Sequence, residues 1–235
     1  MTQNQPSNPT PIVLAKLSIV LAMAAVVWLL LLHVVSPDFD PSWRMISEYA
    51  YGEFGWILTL FFLCWGISSW SAAASLYPLM NSNWGRAGIV LLGVSGLGEI
   101  MGGLFDVRHE LHGAAFALGV PTLPIAALVI SVHLARAYGF DRKRLLISAH
   151  ATWISMVVMA VTMAIFVSGL KSAGAFHPET KEMLTALPAG VIAFGGYVNR
   201  VLVLLYIIWL MVIGIAAIKV YRKRVLLHPR RTIHA

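Results

Sequence analysis

The sequence predicts an all-α protein: a polytopic integral membrane bundle of six transmembrane helices with both termini cytoplasmic. Three observations predict this fold class. Of the 235 residues, 59% are hydrophobic and only 11% are charged. The apolar residues gather into six long stretches, and basic and acidic residues fall on opposite sides of them. Each stretch is near or above the ~20 residues that a helix needs to cross a hydrocarbon core of ~30 Å.

The apolar stretches set the expected helices, which cover residues 12–34, 54–79, 87–105, 111–137, 144–170 and 200–221. Backbone amides in lipid must be satisfied within the spanning segment, so we expect continuous stretches of this length to be helical. The strands of a membrane barrel would alternate polar and apolar residues, and these stretches do not. The membrane domain is therefore 12–221, with a polar tail at 1–11 and a basic tail at 222–235.

The distribution of charge predicts the orientation. With both termini inside, twelve lysines and arginines fall on the cytoplasmic side and five on the outer side, as the positive-inside rule requires. Nine of the ten carboxylates fall on the outer side. We expect a multi-pass protein of the bacterial plasma (inner) membrane, with membrane lipids as partners of its basic tail. No motif or aromatic pattern supports binding of nucleic acid.

Two helices carry residues that affect packing. Gly98 and Gly102 form a GxxxG pair in the third helix, a pattern that lets another helix approach closely. Pro121 and Pro124 interrupt the fourth helix and free carbonyl oxygens such as that of Val120. We therefore expect a kink in that helix.

The outer side of the predicted bundle collects the polar residues that are candidates for function. Arg44 and Arg200 are expected to attract an anionic headgroup. Acidic residues would set the shape and charge of the cavity mouth, and Tyr197 and Asn199 complete the expected ligand-binding set. The candidates are Arg44, Glu48, Glu99, Asp106, His109, His112, His177, Tyr197, Asn199 and Arg200.

Glu99 stands out because it lies within an apolar helix. A carboxylate there must be neutral, paired or facing a wet cavity. Arg200 is its expected partner, with His112 as the second candidate, and one interpretation is a structural salt bridge between the third and sixth helices. The other interpretation is catalytic, with Glu99 or Glu48 acting as a general base or proton carrier.

A candidate metal site begins at Asp106. Asp106, His109 and His112 are spaced by three, so they share one face if the fourth helix begins at Asp106. His177 could supply a third imidazole, which makes zinc a candidate cofactor, with iron as the alternative. A structural interpretation is that Asp106 caps the helix while His109 meets water and headgroups.

Three short motifs also suggest a family. They are SEYAYGEFGW at 47–56, FDVRHELHG at 105–113 and GYVNR at 196–200. Together they make most of the chain resemble the bacterial domain-of-unknown-function 998 family of multi-pass membrane proteins. That family has no established activity to carry over. The resemblance therefore implies the topology and draws attention to Asp106, His112 and Arg200.

Three functions are compatible with these observations. The leading hypothesis is a membrane protein whose outward-facing polar cavity binds or moves a lipid or small amphiphile. An alternative is an intramembrane metal-dependent hydrolase that acts on a lipid-like substrate at the outer face. A structural or assembly subunit is the third, and the GxxxG surface is its support. The sequence does not decide whether the protein is an enzyme.

Overall fold

The computed structural model describes residues 9–139, 141–176 and 184–227. Within these residues every regular element is helical and there is no β-strand, so the all-α prediction is confirmed. Two short 3₁₀ helices cover Ile46–Tyr51 and Tyr77–Leu79. The α-helices are α1 (Thr10–Val35), α2 (Gly55–Leu76), α3 (Asn83–Leu104), α4 (His112–Gly119), α5 (Thr122–Tyr138), α6 (Arg142–Ser172) and α7 (Gly195–Leu227).

Six of the helical segments in the described chain are long and apolar enough to cross a membrane, with α4 and α5 counted together as His112–Tyr138. Their number and order agree with the sequence. The largest difference is in α7, which begins at Gly195 and ends at Leu227, whereas the apolar stretch predicted 200–221. Flanking polar and basic residues continue the helix, because arginine and lysine are good helix formers.

The predicted kink is present as a break between α4 and α5. Pro121 lies at the break, where it offers no backbone N–H. The carbonyl oxygen of Val120 accepts a hydrogen bond of 2.9 Å from the Tyr206 hydroxyl. The carbonyl oxygen of Gly119 lies 2.9 Å from Ser95 Oγ. Side chains of α7 and α3 therefore satisfy the carbonyls that the interrupted helix exposes.

The helices pack in an order close to their order in the chain. α1 packs on α2 and α7, α2 on α3, α3 on α4 and α5, α5 on α6, and α6 on α7. Trp209, Tyr49, Tyr206 and Phe61 are the largest fully buried side chains. Buried aromatic groups need polar partners for their N–H and O–H groups. Trp209 Nε1, for example, donates to Ser131 Oγ.

The two ends of the bundle differ in charge. Ser75 donates to the carbonyl of Pro11, and Tyr221 donates to the carbonyl of Ser75. The start of α1 and the ends of α2 and α7 therefore lie together at one end. We call this the basic end, and it includes residues 77–82, 139 and 141. The opposite, acidic end consists of residues 36–54 and 105–111 and the described part of 173–194. Among the described carboxylates, Asp141 alone lies at the basic end.

Candidate functional site

Arg200 lies at the centre of the acidic end and is only 8% exposed. Its Nε donates to His33 Nε2 at 2.6 Å. Its Nη1 donates to the carbonyl oxygens of Arg44 at 2.7 Å and Gly196 at 2.9 Å, and its Nη2 donates to the Tyr49 hydroxyl at 3.2 Å. Arg200 thus joins α1, the segment that precedes α2, and α7. The prediction that it pairs with Glu99 is wrong.

The partner on α1 is a neutral imidazole. Arginine can only donate, so the Nε2 atom of His33 accepts and its proton must lie on Nδ1. Nδ1 is 2.7 Å from the carbonyl oxygen of Leu29, an acceptor that suits this tautomer. Four of the five N–H groups of Arg200 are thereby committed to acceptors of the protein itself.

Arg44 is also buried, and it is hydrogen-bonded through one of its two terminal nitrogens while the other has no hydrogen-bond partner in the described structure. Its Nη2 donates to the carbonyl oxygen of Leu184 at 2.7 Å, and its guanidinium lies over the Trp43 ring. Its Nη1 lies 3.6 Å from Glu48 Oε1, while Glu48 Oε2 accepts from the backbone N–H of Met45 at 2.6 Å. Burial raises the pKa of Glu48, although that N–H and the guanidinium both oppose the rise. Arg44 and Glu48 hold the start of the first 3₁₀ helix.

The predicted helical face of Asp106, His109 and His112 does not form, because α4 begins at His112. Asp106 instead pairs with Arg108 in an exposed turn, and that hydrogen bond lowers the pKa of the Asp106 carboxyl. His109 Nδ1 accepts from the backbone N–H of Leu111 at 3.1 Å. The interpretation of Asp106 as the helix cap is wrong for the same reason.

The predicted zinc site remains a prediction. No group of three or more histidine, cysteine or acidic side chains in the described chain could hold a metal ion, and His177 lies outside the described residues. Elemental analysis of purified wild type and His109→Ala/His112→Ala tests the site, since one equivalent of zinc lost with the imidazoles would support it.

A cavity of about 100 Å³ lies between α2, α3, α4, α6 and α7, next to the first 3₁₀ helix. Its walls are mainly apolar. At its edge, Asn199 Oδ1 accepts from the backbone N–H of Ile46 at 2.9 Å. His112 Nδ1 is 2.9 Å from the carbonyl oxygen of Phe105. The lining residues are Ile46, Ser47, Phe62, Trp65, Gly98, Glu99, Gly102, His112, Ala115, Phe116, Gly119, Val120, Met159, Asn199, Leu202 and Val203.

Glu99 is the buried acid of this cavity and is 3% exposed. Ser69 Oγ, on α2, is 2.6 Å from its Oε2, and Ser95 Oγ is 2.9 Å from its Oε1. The same Ser95 Oγ is 2.9 Å from the carbonyl oxygen of Gly119. The contact between Ser95 and the Gly119 carbonyl depends on the close approach of α3 and α4 at Gly98, where an added Cβ would lie 2.2 Å from the Gly119 nitrogen. The close helix approach predicted from GxxxG is therefore confirmed at Gly98.

Trp65 carries the second unusual polar group of the cavity. Its ring stacks on Phe62, with centroids 6.1 Å apart. Its Nε1 is buried and has no hydrogen-bond partner in the described structure. Buried donors are almost always partnered, so this Nε1 is an exception. Trp65, Ser69 and Ser95 were not among the residues predicted from the sequence. Of these three, only Ser95 could have been predicted from its position, because it precedes Glu99 by four residues on one helix.

The ten candidates therefore divide into three groups of described residues, with His177 outside them. Glu99, His112 and Asn199 line the cavity. A second group, Arg44, Glu48 and Arg200, holds the acidic end together. Asp106, which is half-buried, and the exposed residues His109 and Tyr197 do not line the cavity. No family model, curated protein or solved structure matches the chain, and the resemblance to the 998 family stays a prediction.

Proposed function

We propose that this is a multi-pass membrane protein that binds or moves a small amphiphile in the cavity beside Glu99. Six long apolar helices support the membrane assignment. So does their outer surface, because only 28% and 22% of the most apolar windows of α1 and α6 are buried. An apolar surface of that extent is incompatible with water and suits the hydrocarbon of a bilayer.

The proposed orientation places the basic end in the cytoplasm and the acidic end outside, in a bacterial inner membrane. The support is the excess of lysine and arginine around residues 139–144 and at the end of α7, which the positive-inside rule assigns to the cytoplasm. The cavity then lies toward the outer face, next to residues 46 and 47.

The observation that carries the proposal is a mainly apolar cavity whose lining residues include a buried carboxyl group, Glu99, and an indole, Trp65, whose buried Nε1 has no partner among the described residues. Leaving such a buried N–H without a partner costs ~1–3 kcal/mol, so this donor is unusual in a folded protein. Ligand sites typically combine apolar walls with a few convergent polar groups. In this cavity Phe62, Phe116 and Leu202 would contact the apolar part of a ligand, and Glu99 its polar part.

The arginines have a different role in this proposal from the one expected of them. Arg200 and Arg44 would not contact the ligand, because neither is among the residues that line the cavity. They would instead hold the first 3₁₀ helix, which supplies Ile46 and Ser47 to the cavity wall.

A matched pair of variants on α7 tests the proposal. Val203→Phe adds a ring inside the cavity, whereas Val201→Phe adds the same ring on the exposed side of the helix. Mass spectrometry of small molecules that co-purify in detergent should find a species in wild type and Val201→Phe that is lost from Val203→Phe. Thermal shifts with added amphiphiles provide a second readout. The proposal is contradicted if folded wild type retains no species and shows no thermal shift with any added amphiphile.

A further inference from the structure

The hydrogen bonds and charges of the cavity define its ligand more closely. We propose that the ligand is a cationic amphiphile, an alkylated or protonated amine, and that it exchanges with a proton held by Glu99. This inference rests on the proposed function, because it names the charge of the ligand and the ion that the ligand replaces.

The two contacts of Ser95 favour a proton on Glu99. Ser95 Oγ is 2.9 Å from both Glu99 Oε1 and the carbonyl oxygen of Gly119. A hydroxyl has one hydrogen, and a carbonyl oxygen can only accept. If Ser95 donates to Gly119, the hydrogen between Ser95 and Glu99 must come from the carboxyl group. Both contacts are full hydrogen bonds only when Glu99 is protonated.

Among the described residues, the groups that bond to Glu99 or lie near it around the cavity carry no fixed positive charge. From α2 they are Ser69 and Trp65, from α4 His112, and from α7 Asn199 and Tyr206, whose hydroxyl donates to the carbonyl of Val120. The second titratable group among the lining residues is the His112 imidazole. If its Nδ1 donates to the carbonyl of Phe105, a neutral ring satisfies that hydrogen bond and leaves Nε2 as an acceptor.

The charge of the site disfavours an anionic headgroup and favours a cation. An anion beside Glu99 would be placed in a region of low polarity with no positive partner, which is costly. A cation would pair with the carboxylate. Three aromatic rings, Phe62, Trp65 and Phe116, also line the cavity, and ring faces attract alkylated ammonium groups.

The exchange conserves the charge of the cavity. The cation enters, the O–H bond of the Glu99 carboxyl breaks, and the proton leaves to bulk water. The carboxylate can then accept from the hydroxyls of both Ser69 and Ser95, which already lie at 2.6 and 2.9 Å. A carboxylate with neither proton nor cation would be a buried, unpaired charge, so the two ions compete.

Ionisation of Glu99 also has a structural consequence. The single hydrogen of Ser95 moves to the carboxylate, so the carbonyl of Gly119 loses its donor from α3. That carbonyl lies at the break between α4 and α5. Binding of the cation would therefore loosen the contact between α3 and the break.

Three probes with the same chain and different heads test the ligand class: hexyltrimethylammonium, hexanol and hexyl sulfate. Binding is measured in weakly buffered detergent solution with a pH indicator, at about pH 6 and about pH 8. Wild type should bind hexyltrimethylammonium in preference to hexyl sulfate and release about one proton per bound cation. Its affinity should rise by up to about tenfold per pH unit while Glu99 holds its proton.

Variants assign the proton to Glu99. Glu99→Gln can keep the hydrogen bond to Ser95 but cannot ionise, so it should lose the cation and retain hexanol, which also shows that it folds. Glu53→Gln, which removes an exposed carboxylate, is the matched control and should behave like wild type. His112→Gln should still release about one proton when it binds the cation, because the proton comes from Glu99 and not from the imidazole.

The results separate failure of this inference from failure of the proposed function. Preference for hexyl sulfate, cation binding by Glu99→Gln equal to wild type, absence of proton release, or its loss in His112→Gln would each overturn the cation–proton exchange. Binding of hexanol would leave the proposed function standing in all four cases. If no probe of any charge binds folded wild type, the proposed function itself fails.

Discussion

Replacement of Arg200 by methionine should destabilise the protein strongly, because one side chain ties three parts of the acidic end together. Methionine keeps an unbranched apolar stem of similar length but has no donor. His33 Nε2, the carbonyl oxygens of Arg44 and Gly196, and the Tyr49 hydroxyl then lose the N–H groups that reach them.

The size of the effect follows from the burial of the network. Each hydrogen bond from a charged donor is worth ~1.5–3 kcal/mol, but removal of the guanidinium also removes its own desolvation cost. The four bonds therefore do not add, and we expect a loss of ~3–5 kcal/mol, as for other broken buried charged contacts. In a chain of this length ~1 kcal/mol shifts the melting temperature by ~2–4 °C, so Arg200→Met should melt ~6–20 °C lower.

Thermal unfolding of detergent-purified protein at one scan rate measures this shift, since unfolding of membrane proteins need not be reversible. Arg200→Lys should fall between wild type and methionine, because an ammonium group keeps the charge but cannot match the fork geometry of guanidinium. Arg108→Met is the control. Arg108 is exposed and pairs with Asp106 in its own turn, so its loss should leave the melting temperature unchanged. A melting temperature for Arg200→Met within about a degree of wild type would refute the network as the connector of these segments.

Three further predictions concern packing, pH and topology. Gly98→Ala should lower the melting temperature clearly, since its Cβ would meet the Gly119 backbone at 2.2 Å, whereas Gly93→Ala, with nothing within 4 Å, should be neutral or stabilising. Burial raises the pKa of the Glu48 carboxyl above its usual 4.5. The contribution of Glu48 to the free energy of unfolding is therefore fully present below pH 4.5 and is lost as the pH rises through the raised pKa. Unfolding of wild type and Glu48→Gln across that range should show the difference. In a Cys64→Ala background, an impermeant thiol reagent added to intact cells should label Glu53→Cys and not Lys143→Cys.

Each of these outcomes can fail independently. Equal melting temperatures for the two glycine variants would mean that α3 and α4 are not in close contact. A stability difference that grows in favour of wild type as pH rises would reverse the sign assigned to Glu48. Labelling of Lys143→Cys in place of Glu53→Cys would invert the proposed orientation.

The break in the fourth helix shows what short-range sequence can predict. Proline lacks an N–H wherever it lies, so Pro121 indicates a disturbed helix without knowledge of its neighbours. The donors that repair the break come from Tyr206 and Ser95, more than twenty residues away along the chain. No local pattern connects them with residues 119 and 120.

The spacing of Asp106, His109 and His112 shows the opposite case. A spacing of three indicates a shared face only when all three residues are helical. The pairing of Asp106 with Arg108 and the hydrogen bond from Leu111 to His109 favour a turn, and α4 starts only at His112. The wrong position of one helix boundary was enough to predict a shared helical face that does not form.

The sequence by itself determined the helices and the separation of charge, because length, hydropathy and the positions of lysine and arginine are properties that each segment carries alone. Tertiary structure alone decided the partners of the two most informative side chains. Arg200 meets His33 because the start of α7 lies beside the end of α1. Glu99 meets serines rather than an arginine because helix rotation and close packing at Gly98 set which groups enter the cavity. Such rotation depends on all neighbouring helices at once, and therefore no single stretch of sequence specifies it.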